Sequence, residues 1–377
     1  MIRLTTTAAA LLTVAGSASA QFAPGSLLYI SNSRTAGGTD TINALDYSSL
    51  NSSLLYTFAP DTQNNNSRGG LDRGPNGEFY VGSTNRPPVD PSTTSIARID
   101  DLFGTPTETQ FAMNPELQSV NGIEYDAFTD SVLVLNNPGS NGVIPRQFEG
   151  LQSYDRASGA FQGVPVPDNG QPISGLGGGF VPTNRAPGQY YFGSQTGGLG
   201  FDGSLPTNGS QSSAVIARVT FDDPGNPLSN TTETVIDLAP ANTGAEFLGL
   251  LAGMTVLPNG NIVFLENNSF NIWEVVLDAN GDFQSLEVLF DGSDVARSER
   301  SLGRTIIYNE FTNKLNYTEF VQDGTTLQDI VEINLDGTGR RVLASSLSDV
   351  GSLVAIPAPA SAALLGLGGL AAIRRRR

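Results

Sequence analysis

The sequence predicts an all-β fold, a single closed ring of about six four-stranded sheets, and three observations predict it. Short runs of Val, Ile, Leu, Tyr and Phe alternate with clusters of Gly, Pro, Asn and Asp, and no stretch of the body sustains helical periodicity. A strand–turn–strand unit recurs along the chain. The first and last strand-like segments of the body each lack a partner that the other would supply.

The elements follow in order. Ser26-Leu27-Leu28-Tyr29-Ile30 reads as the second strand of a unit with no first. Gly70-Leu71-Asp72 then leads through Pro75-Asn76-Gly77-Glu78 into Phe79-Tyr80-Val81. Gly122-Ile123-Glu124-Tyr125-Asp126 leads through Thr129-Asp130 into Ser131-Val132-Leu133-Val134-Leu135, and Gly253-Met254-Thr255-Val256-Leu257 leads through Pro258-Asn259-Gly260-Asn261 into Ile262-Val263-Phe264-Leu265. Gly303 to Tyr308 leads through Thr312-Asn313 into Lys314-Leu315-Asn316-Tyr317. The Asn-Gly pairs supply the positive φ that a tight hairpin turn needs.

Two more strands complete each unit. Ile272 to Leu277 turns at Asp278-Ala279-Asn280-Gly281-Asp282 into Leu286 to Phe290, and Ile330 to Asn334 turns at Asp336-Gly337-Thr338-Gly339 into Arg341-Val342-Leu343. Ile96 to Ile99 with Glu108 to Phe111, and Val215 to Val219 with Thr234 to Leu238, are weaker equivalents. Four strands per unit is the blade of a β-propeller. The second strands centre near Tyr29, Tyr80, Leu133, Tyr191, Val263 and Tyr317, which counts six blades; a seventh would have to lie in the long stretch around the fourth. Gly351 to Ile356 reads as an innermost strand at the end of the body, so pairing it with Ser26 to Ile30 closes the ring and removes two exposed sheet edges. A β-sandwich is the competing arrangement of the same strands.

Two blades resemble known repeats. Asn259-Gly260-Asn261-Ile262 through Asn267-Asn268 to Ile272 resembles an NHL-type repeat. Lys314-Leu315-Asn316-Tyr317-Thr318-Glu319 through Asn334 to Leu343 resembles a YWTD repeat of lipoprotein-receptor propellers. Each fit covers about one blade, and both families imply a propeller, often six-bladed.

Composition excludes several functions. The 377 residues include no Cys and no His, which removes disulfides, thiol chemistry, most zinc sites and every Ser-His-Asp arrangement. Setting aside Arg3 and the four C-terminal arginines leaves 15 basic against 37 acidic residues, a net charge of −22 with Lys314 as the single lysine. Nucleic-acid phosphates demand the opposite balance.

The two ends read as addresses, dividing the chain into 1–20, 21–356 and 357–377. Met1-Ile2-Arg3, an apolar run from Leu4 to Gly16 and the small residues Ala18 and Ala20 describe a secretory signal peptide cleaved after Ala20. At the other end, Pro357-Ala358-Pro359 precedes the apolar stretch Ser361 to Ile373 and then Arg374, Arg375, Arg376 and Arg377. This tail resembles the PEP-CTERM sorting signal over about its last twenty residues, with Ala358 where that family usually has Glu. The resemblance implies processing by an exosortase-type sorting enzyme. The apolar run can enter a bilayer as a helix, with the arginines held on the cytoplasmic side. The body is therefore expected outside the cell or at its surface, transiently anchored in the inner membrane.

Catalytic chemistry is limited to carboxylates, Tyr, Ser and one Lys. Asp278-Ala279-Asn280-Gly281-Asp282 starts like a calcium loop, but the sixth position is Phe283 and the twelfth Leu289, so it reads as a hairpin turn. Gly175-Leu176-Gly177-Gly178-Gly179 lacks the Gly-Lys-Ser/Thr of a phosphate loop and reads as a bend in the fourth blade. Tyr154, Tyr190, Tyr191 and Trp273 suit inter-blade packing better than a sugar platform. Calcium, which needs only oxygen ligands, is the one ion the composition favours. Sugar-lactone hydrolases of the gluconolactonase type are propellers with a central divalent ion. By blade analogy with them, Asp72, Glu124, Glu246 and Glu310 are the candidate ligands, placed at strand starts and loops facing the axis, although that family's N-terminal Glu motif is not seen.

The reading that results is a secreted or cell-surface, non-catalytic propeller that binds extracellular polysaccharide or protein. A calcium-dependent sugar-lactone-type hydrolase working in the central channel is the alternative.

Overall fold

The structure, a computed structural model, describes residues 22–33, 38–59, 67–84, 95–113, 117, 120–136, 150–167, 180–194, 215–238, 251–266, 271–292, 300–321 and 327–357. Residues 1–20, read above as a signal peptide, 358–377 of the segment read as a sorting tail, Gly175 to Gly179 and Glu246 lie outside these residues. Every regular element among them is a strand, and none is a helix long and apolar enough to cross a membrane.

The chain forms six four-stranded antiparallel sheets in a ring, a β-propeller. Blade 1 contains β1 (Leu27–Ser31), β2 (Thr41–Leu45) and β3 (Ser52–Thr57). Blade 2 is β4 (Ser67–Arg73), β5 (Phe79–Thr84), β6 (Ser95–Asp100) and β7 (Thr107–Met113). Blade 3 is β8 (Val120–Asp126), β9 (Ser131–Asn136), β10 (Gly150–Asp155) and β11 (Phe161–Pro167). Blade 4 is β12 (Phe180–Pro182), β13 (Gln189–Ser194), β14 (Val215–Phe221) and β15 (Asn230–Asp237). Blade 5 is β16 (Leu251–Val256), β17 (Ile262–Glu266), β18 (Asn271–Leu277) and β19 (Phe283–Phe290). Blade 6 is β20 (Arg300–Asn309), β21 (Lys314–Val321), β22 (Leu327–Asn334) and β23 (Arg341–Ser348), and β24 (Val350–Ala355) returns to blade 1.

The closure expected from the two ends is present. β24 pairs antiparallel with β1, placing Leu28 opposite Val354 and Tyr29 opposite Leu353. The blade's innermost strand thus comes from the C-terminal end of the body and its other three from the N-terminal end, which leaves no unpaired inner edge. Tight turns join first to second strands, and Gly77 and Gly260 take φ of 91° and 87° there, conformations that cost glycine nothing.

The core lies between blades. Six clusters of buried side chains each join two neighbours: Leu133 and Leu135 of blade 3 pack with Tyr190 and Phe192 of blade 4, and Leu27 and Tyr29 of blade 1 pack with Ile330 and Leu343 of blade 6. A sheet sandwiched this way is apolar on both faces, which explains the unbroken burial of β9 (Ser131 to Asn136) and β17 (Ile262 to Glu266). Three buried tyrosines pair their hydroxyls with carboxylates: Tyr317 donates to Glu319 Oε1 at 2.7 Å, Tyr80 to Glu78 Oε1 at 3.2 Å and Tyr190 to Asp126 Oδ1 at 2.8 Å. Tyr154, Tyr190 and Tyr191 are buried and Trp273 packs against the core of blades 4 and 5, so these aromatics are packing residues.

Candidate functional site: a carboxyl pair in the central channel

The six innermost strands, β4, β8, β12, β16, β20 and β24, surround a cavity of about 330 Å³ on the ring axis. Most of its wall is apolar or hydroxylic, with Ile307 and Val354 among the apolar groups and Thr255, Thr305 and Ser352 among the hydroxyls. Blades 2 and 3 differ, because each brings a carboxyl group to the wall: Asp72 on β4 and Glu124 on β8.

The two occupy equivalent places. Each follows a glycine by two residues on its inner strand, in Gly70-Leu71-Asp72 and Gly122-Ile123-Glu124, and Thr255 holds the same place in Gly253-Met254-Thr255. In the ladder Asp72 faces Tyr80, Glu124 faces Leu133 and Thr255 faces Val263. Gly70 is required at its place: with φ of 68°, a Cβ there would stand 3.0 Å from the backbone nitrogen of Ile123 on the next blade. Inner strands that approach so closely bring the side chains of adjacent blades into contact.

Asp72 and Glu124 lie on adjacent inner strands of the same wall and interact with each other directly. Both border the channel and keep partial exposure to it, while protein surrounds them on the other sides. Loss of hydration is the main influence on both, and it favours the neutral acids. At Asp72 the amide N–H groups of Tyr125 and Arg73 oppose it, the first donating to Oδ2 at 2.7 Å, and the carboxyl is pushed up only to about 6. At Glu124 the neighbouring Asp72 adds to the effect of desolvation, and the carboxyl is raised well above the usual carboxylate range. The pair therefore keeps a proton to higher pH than isolated carboxyl groups would, and the amide donors at Asp72 favour placing the charge there.

Of the four carboxylates expected to face the axis, the structure brings together Asp72 and Glu124. They sit towards the ends of their inner strands, on the side of the hairpin turns, rather than at strand starts. Glu310 stands apart, exposed on the turn between β20 and β21, and does not line the cavity. Glu246 is outside the described residues. What sequence reasoning missed is the equivalence of Asp72, Glu124 and Thr255, and the Gly-x-Asp/Glu/Thr shared by the inner strands of blades 2, 3 and 5 was the available signal.

The donor set does not by itself fit a resident calcium ion. Calcium takes about six to eight oxygen ligands. The described wall offers two carboxyl groups, one of them already accepting an amide, and no group of three or more His, Cys, Asp or Glu converges among the described residues. The turn at 278–282 is no calcium loop either. Asp278 Oδ1 accepts the N–H of Asn280 at 2.8 Å and of Asp282 at 2.9 Å, and Arg185 and Arg218 donate to the carbonyls of Ala279 and Asn280, both at 2.9 Å. The oxygens that would meet an ion are capped by guanidinium groups.

No family model matches the sequence, and no curated protein matches it. Among solved structures, the periplasmic gluconolactonase of Pseudomonas aeruginosa is similar in fold, with 13% identity over 89% of this chain and 100% of that one and a TM-score of 0.53. Regucalcin from Agrobacterium tumefaciens, a calcium-binding protein, is 12% identical over 72% of this chain and 73% of that one, with a TM-score of 0.43. At such identities the likeness is one of fold.

Proposed function

We propose that the protein is an exported propeller that hydrolyses small cyclic esters of the sugar-lactone kind in its central channel, with Asp72 and Glu124 as a proton-sharing acid–base pair. One observation carries this reading: two carboxyl groups in mutual contact inside a cavity large enough for a sugar. The gluconolactonase fold likeness supports it. Export rests on the N-terminal apolar run ending in Ala18 and Ala20 and on the arginine-terminated tail.

Contact between the carboxyls decides the reaction class. Glycoside hydrolases hold theirs about 5 Å or more apart, to leave room for the sugar carbon or a water. A touching pair that shares one proton suits attack of water on a carbonyl, as in the dyad of aspartic proteases. Asp72, ionised, takes a proton from water as the water oxygen bonds to the carbonyl carbon. Glu124 gives its proton to the ring oxygen as the carbon–oxygen bond breaks. The products are one hydroxy acid and a pair whose proton has moved to Asp72; transfer between the two carboxyl groups restores the start. Tyr125 holds Asp72 in place through its main-chain N–H.

The test is hydrolysis of aldonolactones by the purified protein, followed in a pH-stat. Asp72→Asn and Glu124→Gln are each expected to lower kcat/KM by about 100-fold or more, the usual contribution of a positioned acid or base, with melting temperature little changed. A wild-type protein that binds such ligands without turning them over would overturn the hydrolase and leave a binding module, for polysaccharide or protein, on the same ring.

A further inference from the structure

Both ends of the ring leave it at one place. In blades 2 to 6 a tight turn joins the innermost strand to the second, but in blade 1 those strands are β24 and β1, so the chain's two ends stand where that turn would be. They are pinned there. Ile356 N–H donates to the Ser26 carbonyl at 2.7 Å, and Gly25 N–H to the Ile356 carbonyl at 3.3 Å. Asn309, at the neighbouring turn of blade 6, donates to the Gly25 carbonyl at 2.8 Å, and Asp46 Oδ1 accepts the Ala23 N–H at 3.2 Å. The exit at Pro357 therefore lies on the face of the ring that carries the hairpin turns.

The tether beyond it is short. Four residues, two of them prolines, separate Ile356 from the apolar run Ser361 to Ile373. Four residues reach at most about 15 Å when fully extended. That is about the width of one blade, whose four strands lie roughly 4.8 Å apart. A ring held this closely cannot present its opposite face to the surface into which the tail inserts.

We infer that the hairpin-turn face of the propeller lies against a lipid bilayer in the tail-bearing protein, with the starts of the six inner strands turned away from it. The occupant is a membrane surface, and the tether is what holds it. The face exposes Asp101, Asp130 and Glu310, and its basic groups at the blade 6 turns, Lys314, Arg340 and Arg341, are paired with Glu332 and Glu319, so salt should not release the protein. This orientation is independent of any chemistry in the channel.

The protein has no cysteine, so a single introduced thiol reports its own surroundings. Ala127 is exposed on the β8–β9 turn of blade 3, two blades round the ring from the exit, and Met113 is 53% exposed at the opposite end of blade 2. Full-length Ala127→Cys and Met113→Cys variants are labelled with a bulky, membrane-impermeant maleimide in right-side-out vesicles and again in detergent. Vesicles are expected to slow labelling of Ala127→Cys several-fold relative to detergent and to leave Met113→Cys unchanged, and deletion of 357–377 should abolish the difference. Equal ratios for the two variants would overturn the inference. So would recovery of the exported chain in the soluble fraction, with its tail intact or cleaved.

Discussion

Tyr125 on blade 3 donates its main-chain N–H to the carboxylate of Asp72 on blade 2, and the same relationship recurs between Tyr308 and Thr255 of blades 6 and 5, at 2.7 Å and 3.0 Å. At two places in the ring, then, an oxygen two residues after an inner-strand glycine accepts an amide from the next inner strand. At Thr255 the contact is purely structural. At Asp72 it also biases where the charge of a shared proton settles, so a device for joining blades has become part of a candidate reaction centre.

The Thr255 contact gives a stability prediction free of chemistry. Thr255→Val preserves volume and β propensity while removing the acceptor, which leaves the Tyr308 N–H unpaired in a poorly hydrated place. The expected loss is about 1–2 kcal/mol in chemical denaturation. Thr255→Ser, which keeps the oxygen, should recover most of it. A loss in Thr255→Ser with none in Thr255→Val would show that the methyl group, not the hydroxyl, matters.

The carboxyl pair makes stability depend on pH in a definite direction. Asp72 is raised from its ordinary value of 3.8 to about 6, and Glu124 is raised too, so the folded protein binds more protons than the unfolded chain through this interval. The contribution is fully present below about pH 4 and is lost as pH rises through about 6 and beyond. The measurement is the stability difference between wild type and Asp72→Asn/Glu124→Gln, which removes the background of overall acidity. The double variant is expected to gain on the wild type as pH rises from 4 to 8. A flat difference would mean that the two groups do not share a proton.

The same pair shapes the pH–rate profile if the channel is hydrolytic. Activity needs Asp72 ionised and Glu124 protonated, so kcat/KM should rise with an apparent pKa of about 6 and fall again once the second proton leaves. Glu124→Gln should abolish the alkaline limb along with most of the rate. A profile rising to a plateau at high pH would point to hydroxide attack with no acid partner.

Much of the fold was legible because its signals are local. Asn76-Gly77 and Asn259-Gly260 mark turns whose glycines adopt positive φ, and Leu28 and Val354 announce each other as strands lacking neighbours. The candidate site was less legible. Asp72 and Tyr125 are 53 residues apart, and only the spacing of inner strands around a closed ring makes them meet. Glu310 is the same residue type as Glu124 and belongs to the same part of its unit, yet it falls just past the strand, where the turn aims the side chain at solvent. Strand end and turn differ by a residue or two, and local sequence does not resolve that.

Removal of divalent ions tests the calcium expectation. With two carboxyl groups at the described wall and the 278–282 turn capped by Arg185 and Arg218, a chelator is expected to leave the melting temperature unchanged, and added calcium to raise it only at concentrations that also screen surface charge. A rise at micromolar calcium that Glu124→Gln eliminates would reinstate an ion in the channel.

Ring closure has its own weak point at Gly25. Its φ is 86°, and a Cβ would stand 2.5 Å from Thr312 Cγ2, where the N-terminal segment crosses the β20–β21 turn of blade 6. Gly25→Ala therefore combines an unfavourable backbone conformation with a steric clash, and about 1–3 kcal/mol of destabilisation is expected. The two causes separate in a double variant, because Thr312→Ser removes the offending methyl and leaves the backbone cost. Gly25→Ala/Thr312→Ser should recover part of the loss, and because the strain lies where β1 meets β24, hydrogen exchange should show that ladder opening before the ladders inside blade 5. If Gly25→Ala instead melts like the wild type, the two ends are not clasped at this turn, and the closure must be carried by the Leu28–Val354 ladder alone.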